Sequence, residues 1–409
     1  MNRNQAFCIA LVIFLLQSIS IQQQQIVTFF ILYMRWINSY QAMLNIAMIR
    51  RRNRRLRRQR TAPYAWSIPR PAESWFEIHY NDPTVPQEYF RQQLRVNKNT
   101  FDLIRNTLNA RIVRENFKFR DCLPPEKVLA LGLYRLAHGN SYSTIAPVFN
   151  VGKATVIEAV QDFVNGLYEI RDDHIKFPET LAEVTASIET FTDLTELPNV
   201  VGAIDGSHVR IKAPVDSAPD YFSRYQQHDF IIQAVVNGKK HFLDFACGFP
   251  GSMHDGRVLR RSRIFTRAEG GEILTIPTEN VSGRQIGPYL VGDSAYPLSP
   301  WLMKPFPEGT RDRDEIKFNK QLSSARVKVE CAFGVLKNRW RILMKRLDSS
   351  VEFAIRCAVA CAVLHNICLR NGDDWDEGDD DGEDPGPPNV AADVLRDGDD
   401  IRDLLKDAL

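Results

Sequence analysis

The sequence predicts an α/β chain in which a helical domain precedes a sheet-bearing one. Three observations carry this. Between residues 73 and 194 apolar residues recur at helical spacing, punctuated by Pro and Gly. Between 195 and 370, short β-rich runs alternate with helical patterns. Within that second stretch three acids, Asp205, Asp293 and Glu330, stand in or beside apolar runs. A carboxylate there is costly to leave uncompensated.

Composition sets the frame. Of 409 residues, 44% are hydrophobic and 25% charged, which is globular usage. The net charge of +2 hides a polar distribution at both ends. "RRRNRRLRRQR" (Arg50 to Arg60) is a basic arm, and "GDDWDEGDDDGEDPG" (Gly372 to Gly386) is an acidic run. The expected organisation is an apolar, Gln-rich extension (1–49), the basic arm (50–72), the helical domain (73–194), the sheet domain (195–370) and an acidic tail (371–409). The tail is expected to be disordered until a last short helix, "DIRDLLKDAL". Seven cysteines, an odd number with no CxxC pair, argue against a disulfide framework and against structural zinc. "FCIALVIFLL" and "IVTFFILYM" near the start are each too short to cross a bilayer. They read as a helical extension or an imperfect gene start rather than a membrane anchor.

In the helical domain, Pro124 and Pro125 open a helix that Gly139 closes. Ser143 is expected to cap a short helix through Phe149. "NVGK" then turns the chain into a helix from Lys153 to Leu167. Helix, Gly-containing turn and helix resemble a DNA-binding helix-turn-helix, which would present Lys153 and Thr155 near the start of its second helix. A plain helical bundle explains the same spacing.

In the sheet domain, "VVGAIDGSHVRI" reads as a strand carrying Asp205. Phe230 to Val236 and His241 to Ala246 follow, joined by Asn237-Gly238, a hairpin signal. Ser252 to Phe265 reads as a helix. "PYLVGDSAYPL" is a further strand with Asp293 at its end. On the last helix, Ala325, Val329, Ala332, Phe333, Leu336, Trp340 and Leu343 form the core face. Arg326, Glu330, Lys337 and Arg341 fall in a stripe beside it. Arg326 and Glu330 alone would be an ordinary i, i+4 pair. Gathered together, three carboxylates repel and raise each other's pKa, and a hard divalent cation, Mg²⁺ or Mn²⁺, is the natural compensation. Two such ions about 3.5–4 Å apart can activate water against a phosphodiester. Gly206 and Gly292 are expected to leave room for a polyanion backbone.

"VVGAIDGSHVRI", "YLVGDSAYPL" and "ARVKVECAFGVLKNRWRIL" resemble, in order, the three acid blocks of PIF/Harbinger-type DDE transposases and the nucleases derived from them. "GSMHDGRVL" resembles the block between the first two acids, and "VLHNIC" the closing helix. The likeness runs from about Trp66 to Leu369. It implies an RNase H-like fold, a mixed sheet with helices on both faces. It also implies a metal-holding triad of Asp205, which would bridge two ions, Asp293 and Glu330. Asp255 is a candidate fourth carboxylate, with a helix N-terminal acid as the plain alternative. His208 and His254 lie near the acids, and a lone histidine is more often structural.

The implied activity is metal-dependent DNA cutting or strand transfer, with Arg326, Lys337 and Arg341 on phosphates. A Myb-like DNA-binding partner, self-association and a nuclear site of action (cytoplasmic without the partner) go with it. The alternative is a domesticated, non-catalytic nuclear DNA- or protein-binding chain.

Overall fold

The computed structural model describes residues 11–13, 16, 23–26, 28–41, 43, 73–114, 122–375 and 398–409. Two units are distinguished, Met1–Arg70 and Pro71–Leu409. In the first, residues 28–41 are helical. Tyr33, Trp36 and Tyr40 stack along one side at centroid separations of 6.3 and 5.8 Å, as i, i+3 and i, i+4 neighbours should. The helical extension expected near the start is thus present over these residues. The basic arm, Arg50 to Arg60, lies outside the described residues.

The second unit begins with helices α1 (Trp75–Asn81), α2 (Gln87–Leu94), α3 (Lys98–Ile112), α4 (Pro125–His138), α5 (Tyr142–Val148), α6 (Lys153–Glu169), α7 (Arg171–His174) and α8 (Leu181–Glu189). Their ends follow from local chemistry. Pro125 occupies the first turn of α4, where its missing N–H is not needed. Gly139 ends it at φ 60°, donating its N–H to Arg135 O. The cap of α5 is Ser141, whose side chain accepts from the Thr144 N–H. Ser143, the expected cap, is already inside the helix because Ser141 is the last extended residue. Asn150 takes the left-handed conformation (φ 55°) in the turn before α6.

The sheet follows: β1 (Val200–Arg210), β2 (Asp229–Val236) and β3 (Phe242–Pro250), then α9 (Asp255–Arg260), α10 (Arg263–Glu269), a small hairpin β4 (Glu279–Val281) and β5 (Arg284–Ile286), β6 (Tyr289–Val291) and β7 (Leu302–Met303). The chain closes with α11 (Arg313–Arg339), a 3₁₀ turn (Arg341–Met344), α12 (Val351–Arg370) and α13 (Gly398–Ala408). The strand order is β3-β2-β1-β6-β7. The first three strands pair antiparallel, as their sequence predicts, and β1-β6 and β6-β7 are parallel.

Two local expectations change. The link from β2 to β3 is longer than a two-residue Asn-Gly turn. Asn237 Oδ1 accepts from the N–H groups of Lys239 and His241, and Lys240 is the residue at positive φ (66°). Gly238 is needed for space instead, since a Cβ there would sit 2.0 Å from Thr190 O. The single helix expected over Ser252 to Phe265 is two helices, broken where Ser262 caps α10 by accepting from the Phe265 N–H.

Helices cover both faces of the mixed sheet. α11 and α12 lie on one face and α8, α9 and α10 on the other, each side with its own hydrophobic cluster. The larger cluster runs without interruption into the helical segment, where α6 packs on α3, α4, α5 and α12. Among the described residues α12 alone is long and apolar enough to cross a membrane, and its residues are mostly buried against β3 and α6. The expected last helix is α13, which buries Leu405 completely and packs on α11. Residues 376–397 of the acidic tail lie outside the described residues.

Candidate active site

Backbone register brings the first two acids together. β1 and β6 run parallel, with Ala203 paired to Val291. Asp205 and Asp293 each stand two residues beyond that rung, Asp205 still within β1 and Asp293 just past the end of β6. Adjacent strands lie about 4.8 Å apart, so equivalent positions on them are close neighbours. Asp205 Oδ1 accepts from the Gly206 N–H at 2.7 Å, and Asp293 Oδ1 accepts from the Ala295 N–H at 3.0 Å. Burial, then the Asp293 carboxylate, pushes Asp205 up to about 7. Burial, then the Asp255 carboxylate, raises Asp293 as well.

Asp255 is the third acid of this group. It opens α9, as the helix-dipole reading requires, and its charge also acts on Asp205 and Asp293. Its Oδ1 lies 2.6 Å from where a Gly206 Cβ would be, so any side chain at 206 would displace the Asp255 carboxylate. The open space expected at the two glycines is therefore filled: by Asp255 at Gly206, and at Gly292 by the Tyr296 ring and Ile204, 3.0 and 3.1 Å from a would-be Cβ. Among the described residues the buried hydroxyls of Ser294 and Tyr296 have no hydrogen-bond partner, and all three carboxylates act on the Tyr296 phenol.

Glu330 joins at one remove. α11 crosses the sheet on Ala325, Val329, Ala332, Phe333 and Leu336, all buried as the periodicity predicts. Glu330 is 46% exposed and is ion-paired with Arg326 one turn earlier. Burial works against the Arg326 charge, but Glu330, Asp205 and Asp293 together hold its pKa above the usual value. Arg326 thus sits between Glu330 and the two strand acids. Arg341 does not continue the stripe of Arg326, Glu330 and Lys337. α11 stops at Arg339, and Trp340, fully buried with φ −112° and ψ 75°, diverts the chain into the 3₁₀ turn. Arg341's charge instead reaches His138 at the end of α4.

The helix-turn-helix candidates stand elsewhere. Lys153 is exposed and Thr155 half-buried in the first turn of α6. Beyond that turn α6 buries Val156, Val160, Phe163, Val164 and Leu167. Glu158, Asp162 and Glu169, outside that buried set, pair with Arg114 and Arg111. A bundle role accounts for this helix after its first turn.

His208 is not a lone histidine. Its Nδ1 lies 3.0 Å from Oδ1 of Asp229, which is fully buried and also accepts from Ser223 Oγ at 2.7 Å. A carboxylate there selects the tautomer with Nδ1–H and leaves Nε2 as the other ring atom. The His208 charge acts on Asp255. His254 is exposed at the start of α9. The Asp229 support was not legible because it comes from the neighbouring strand.

The donor set suits a hard cation. It consists of carboxylates and hydroxyls, two of the hydroxyls without a partner among the described residues, and the acids are raised by burial, with a neighbouring carboxylate adding to the rise at Asp205 and Asp293. Among the described residues no three His, Cys, Asp or Glu side chains already stand in ion-binding geometry. The acids are neighbours, with Arg326 as the positive charge among them.

A model of the DDE superfamily endonucleases matches residues 204–366, the segment that contains all four acids. The Arabidopsis thaliana protein named Antagonist of Like Heterochromatin Protein 1 is 30% identical over 312 residues, spanning 73% of this chain and 78% of that protein. Human HARBI1, named as a candidate nuclease, is 29% identical over 273 residues, 65% of this chain and 73% of its own length. No solved structure matches the chain. The order and spacing of the acid blocks, with similarity extending over the helical segment as well, lead to one conclusion: the chain belongs to the DDE superfamily endonucleases, among the Harbinger transposase-derived nucleases.

Proposed function

We propose that this chain is a divalent-metal-dependent DNA endonuclease of transposase origin with an RNase H-like catalytic domain. The observation that carries this is the shared register of Asp205 and Asp293 on parallel strands, with the Glu330 helix laid across the same sheet. Asp205, Asp293 and Glu330 would hold Mg²⁺ or Mn²⁺, with Asp255 as an additional ligand. Such ions supply an activated water and stabilise the leaving oxygen of a phosphodiester. The chain's own residues do the rest. Arg326 releases Glu330 and turns to the substrate phosphates, joined by Lys337, while Arg341, diverted into the 3₁₀ turn, takes no part. His208, oriented by Asp229, borders the Asp255 side. Lys153 and Thr155 add a peripheral DNA contact from the first turn of α6, the part of a helix-turn-helix reading that the packing leaves available. A Myb-like partner and self-association would supply end recognition.

The test is nicking of supercoiled plasmid by purified full chain. Cleavage is expected with Mg²⁺ or Mn²⁺ and none with chelator. Metal-independent cleavage, or none with either ion even with a DNA-binding partner added, overturns the reading.

A second reading is a non-catalytic nuclear binding protein. Two observations favour it: the relative whose name describes antagonism of a heterochromatin protein, and the neutralisation of Glu330 by Arg326. Its outcome is DNA binding without cleavage under all of these conditions.

We place the site of action in the nucleus on the strength of the eight arginines between Arg50 and Arg60. A fluorescently tagged chain should concentrate in nuclei and lose that concentration when these arginines become glutamines. Unchanged nuclear signal removes the arm from import.

A further inference from the structure

The helix pair after the third acid carries a charge pattern that the catalytic site does not use. Between Asp255 and Glu269 there is no acidic residue, and five arginines lie there: Arg257, Arg260, Arg261, Arg263 and Arg267. Arg267 is neutralised by Glu179 and Glu272. The other four are exposed and make no hydrogen bond or ion pair among the described residues. Arg257, Arg260 and the C-cap residue Arg261, whose backbone is still helical, are i, i+3 and i, i+4 neighbours along α9, so they share a face. Arg263 continues them at the start of α10.

Their position gives the pattern a direction. α9 begins at Asp255, whose carboxylate lies over Gly206 beside Asp205. The arginines therefore lead away from the acids along the face of the sheet opposite α11. Arg224, exposed and stacked on Tyr225 at 5.4 Å, adds charge at the near end, where it acts on Asp255 and Asp293. A solvated helix surface usually mixes signs. The carboxylate of Asp244 on β3 feels this group: Arg263 and Arg267 act on it without forming an ion pair. Four guanidinium groups outside any hydrogen bond or ion pair among the described residues suit a polyanion, and the guanidinium fork suits phosphate oxygens.

We propose that Arg257, Arg260, Arg261 and Arg263 form a track for the phosphodiester backbone of duplex DNA as it leaves the Asp205, Asp255 and Asp293 site. This rests on the endonuclease reading for its choice of polyanion, and it assigns DNA contact to a face distinct from that of Arg326 and Lys337. The track reads no sequence, since phosphate contacts position a duplex without specifying it. Arg224 holds the backbone at the end nearest the acids.

The experiment measures affinity of the full chain for a labelled 30-base-pair duplex by fluorescence anisotropy, in chelator, across a salt series. Each phosphate contact contributes about 0.9 to the slope of log K against log salt. Replacing the four arginines together by glutamine should lower that slope by about 3.6, whereas Arg267→Gln should leave it unchanged. Melting temperatures of the variants, expected to match wild type because these side chains are exposed and unpaired, guard against misfolding. An unchanged slope and affinity in a folded quadruple variant overturns the track. So does an unchanged DNA slope combined with lost binding to polyglutamate, which would assign the surface to an acidic protein segment. Wild-type cleavage with an unchanged slope refutes the track and leaves the endonuclease standing. A lowered slope in a chain that never cleaves refutes the endonuclease and leaves the track standing.

Discussion

Asp205→Asn is expected to reduce metal-dependent cleavage about ten-thousand-fold, the scale seen when one member of a concerted catalytic group is removed. Asp205 is a buried acid of the group, and Asp293, Arg326 and Asp255 all act on it. Asn keeps its shape and loses its negative charge, so the fold should survive. Asp293→Asn and Glu330→Gln should fall by similar factors, and combining them should add little, because the residues act as a unit. Cleavage that persists in all three variants would sink the assignment. The same substitution has a second readout that needs no substrate. Asp205 is pushed up to about 7 in the fold, against about 4 in an unfolded chain. A raised acid stabilises the fold fully below the unfolded value, and that contribution is lost as pH rises through the folded one. In chelator, the melting temperature of wild type should therefore fall between about pH 4 and 7, and Asp205→Asn should flatten part of that fall. Identical pH profiles for the two proteins would show that Asp205 is not held in this way.

Asp373→Ala is expected to destabilise the second unit by about 3–5 kcal/mol. Asp373 and Arg339 are 2% and 1% exposed. Arg339 Nη2 lies 2.9 Å from Asp373 Oδ1, Nη1 donates to Asp373 O at 2.6 Å, and Nε donates to Arg95 O at 2.8 Å. The Asn97 N–H donates to Asp373 Oδ2 at 2.8 Å, and Arg91 Nε stands 3.4 Å from Oδ1. Trp375 lies against Arg91, Arg95 and Arg339 at 4.7–5.4 Å from its ring centre. Without the carboxylate, a buried guanidinium is left without its counter-charge, which is worse than having no pair at all. The loss should lower the melting temperature by roughly 4–7 °C for a unit of this size. Arg339→Met in the Asp373→Ala background should recover part of it. A single variant melting within about 1 °C of wild type would show that the pair contributes no stability.

The main features of the fold are legible in the residues because they rest on local rules. The Pro124-Pro125 start and Gly139 stop of α4, the antiparallel pairing of β2 and β3 across a five-residue link and the inward face of α11 all follow from chain chemistry within a few residues. Asp205 and Asp293 are legible as acids out of place in apolar runs. What sequence spacing does not reveal depends on contacts made at long range. The end of α11 has no Pro or Gly signal, and Trp340 breaks the helix through burial. The place of Asp255 over Gly206 depends on a helix–strand contact, and the support of His208 by Asp229 on a cross-strand neighbour. Asp373 reads as the beginning of a solvated acidic run, yet its partner is a core arginine 34 residues earlier.

That last pairing decides where the protein can be trimmed. A fragment halted at Arg370, where α12 stops, would discard the counter-ion of Arg339 together with the indole that packs on it. Keeping five further residues, through Trp375, preserves both, while the packing of α13 on α11 is lost from either fragment, so the folding unit extends past α12 into the first aspartates of the tail.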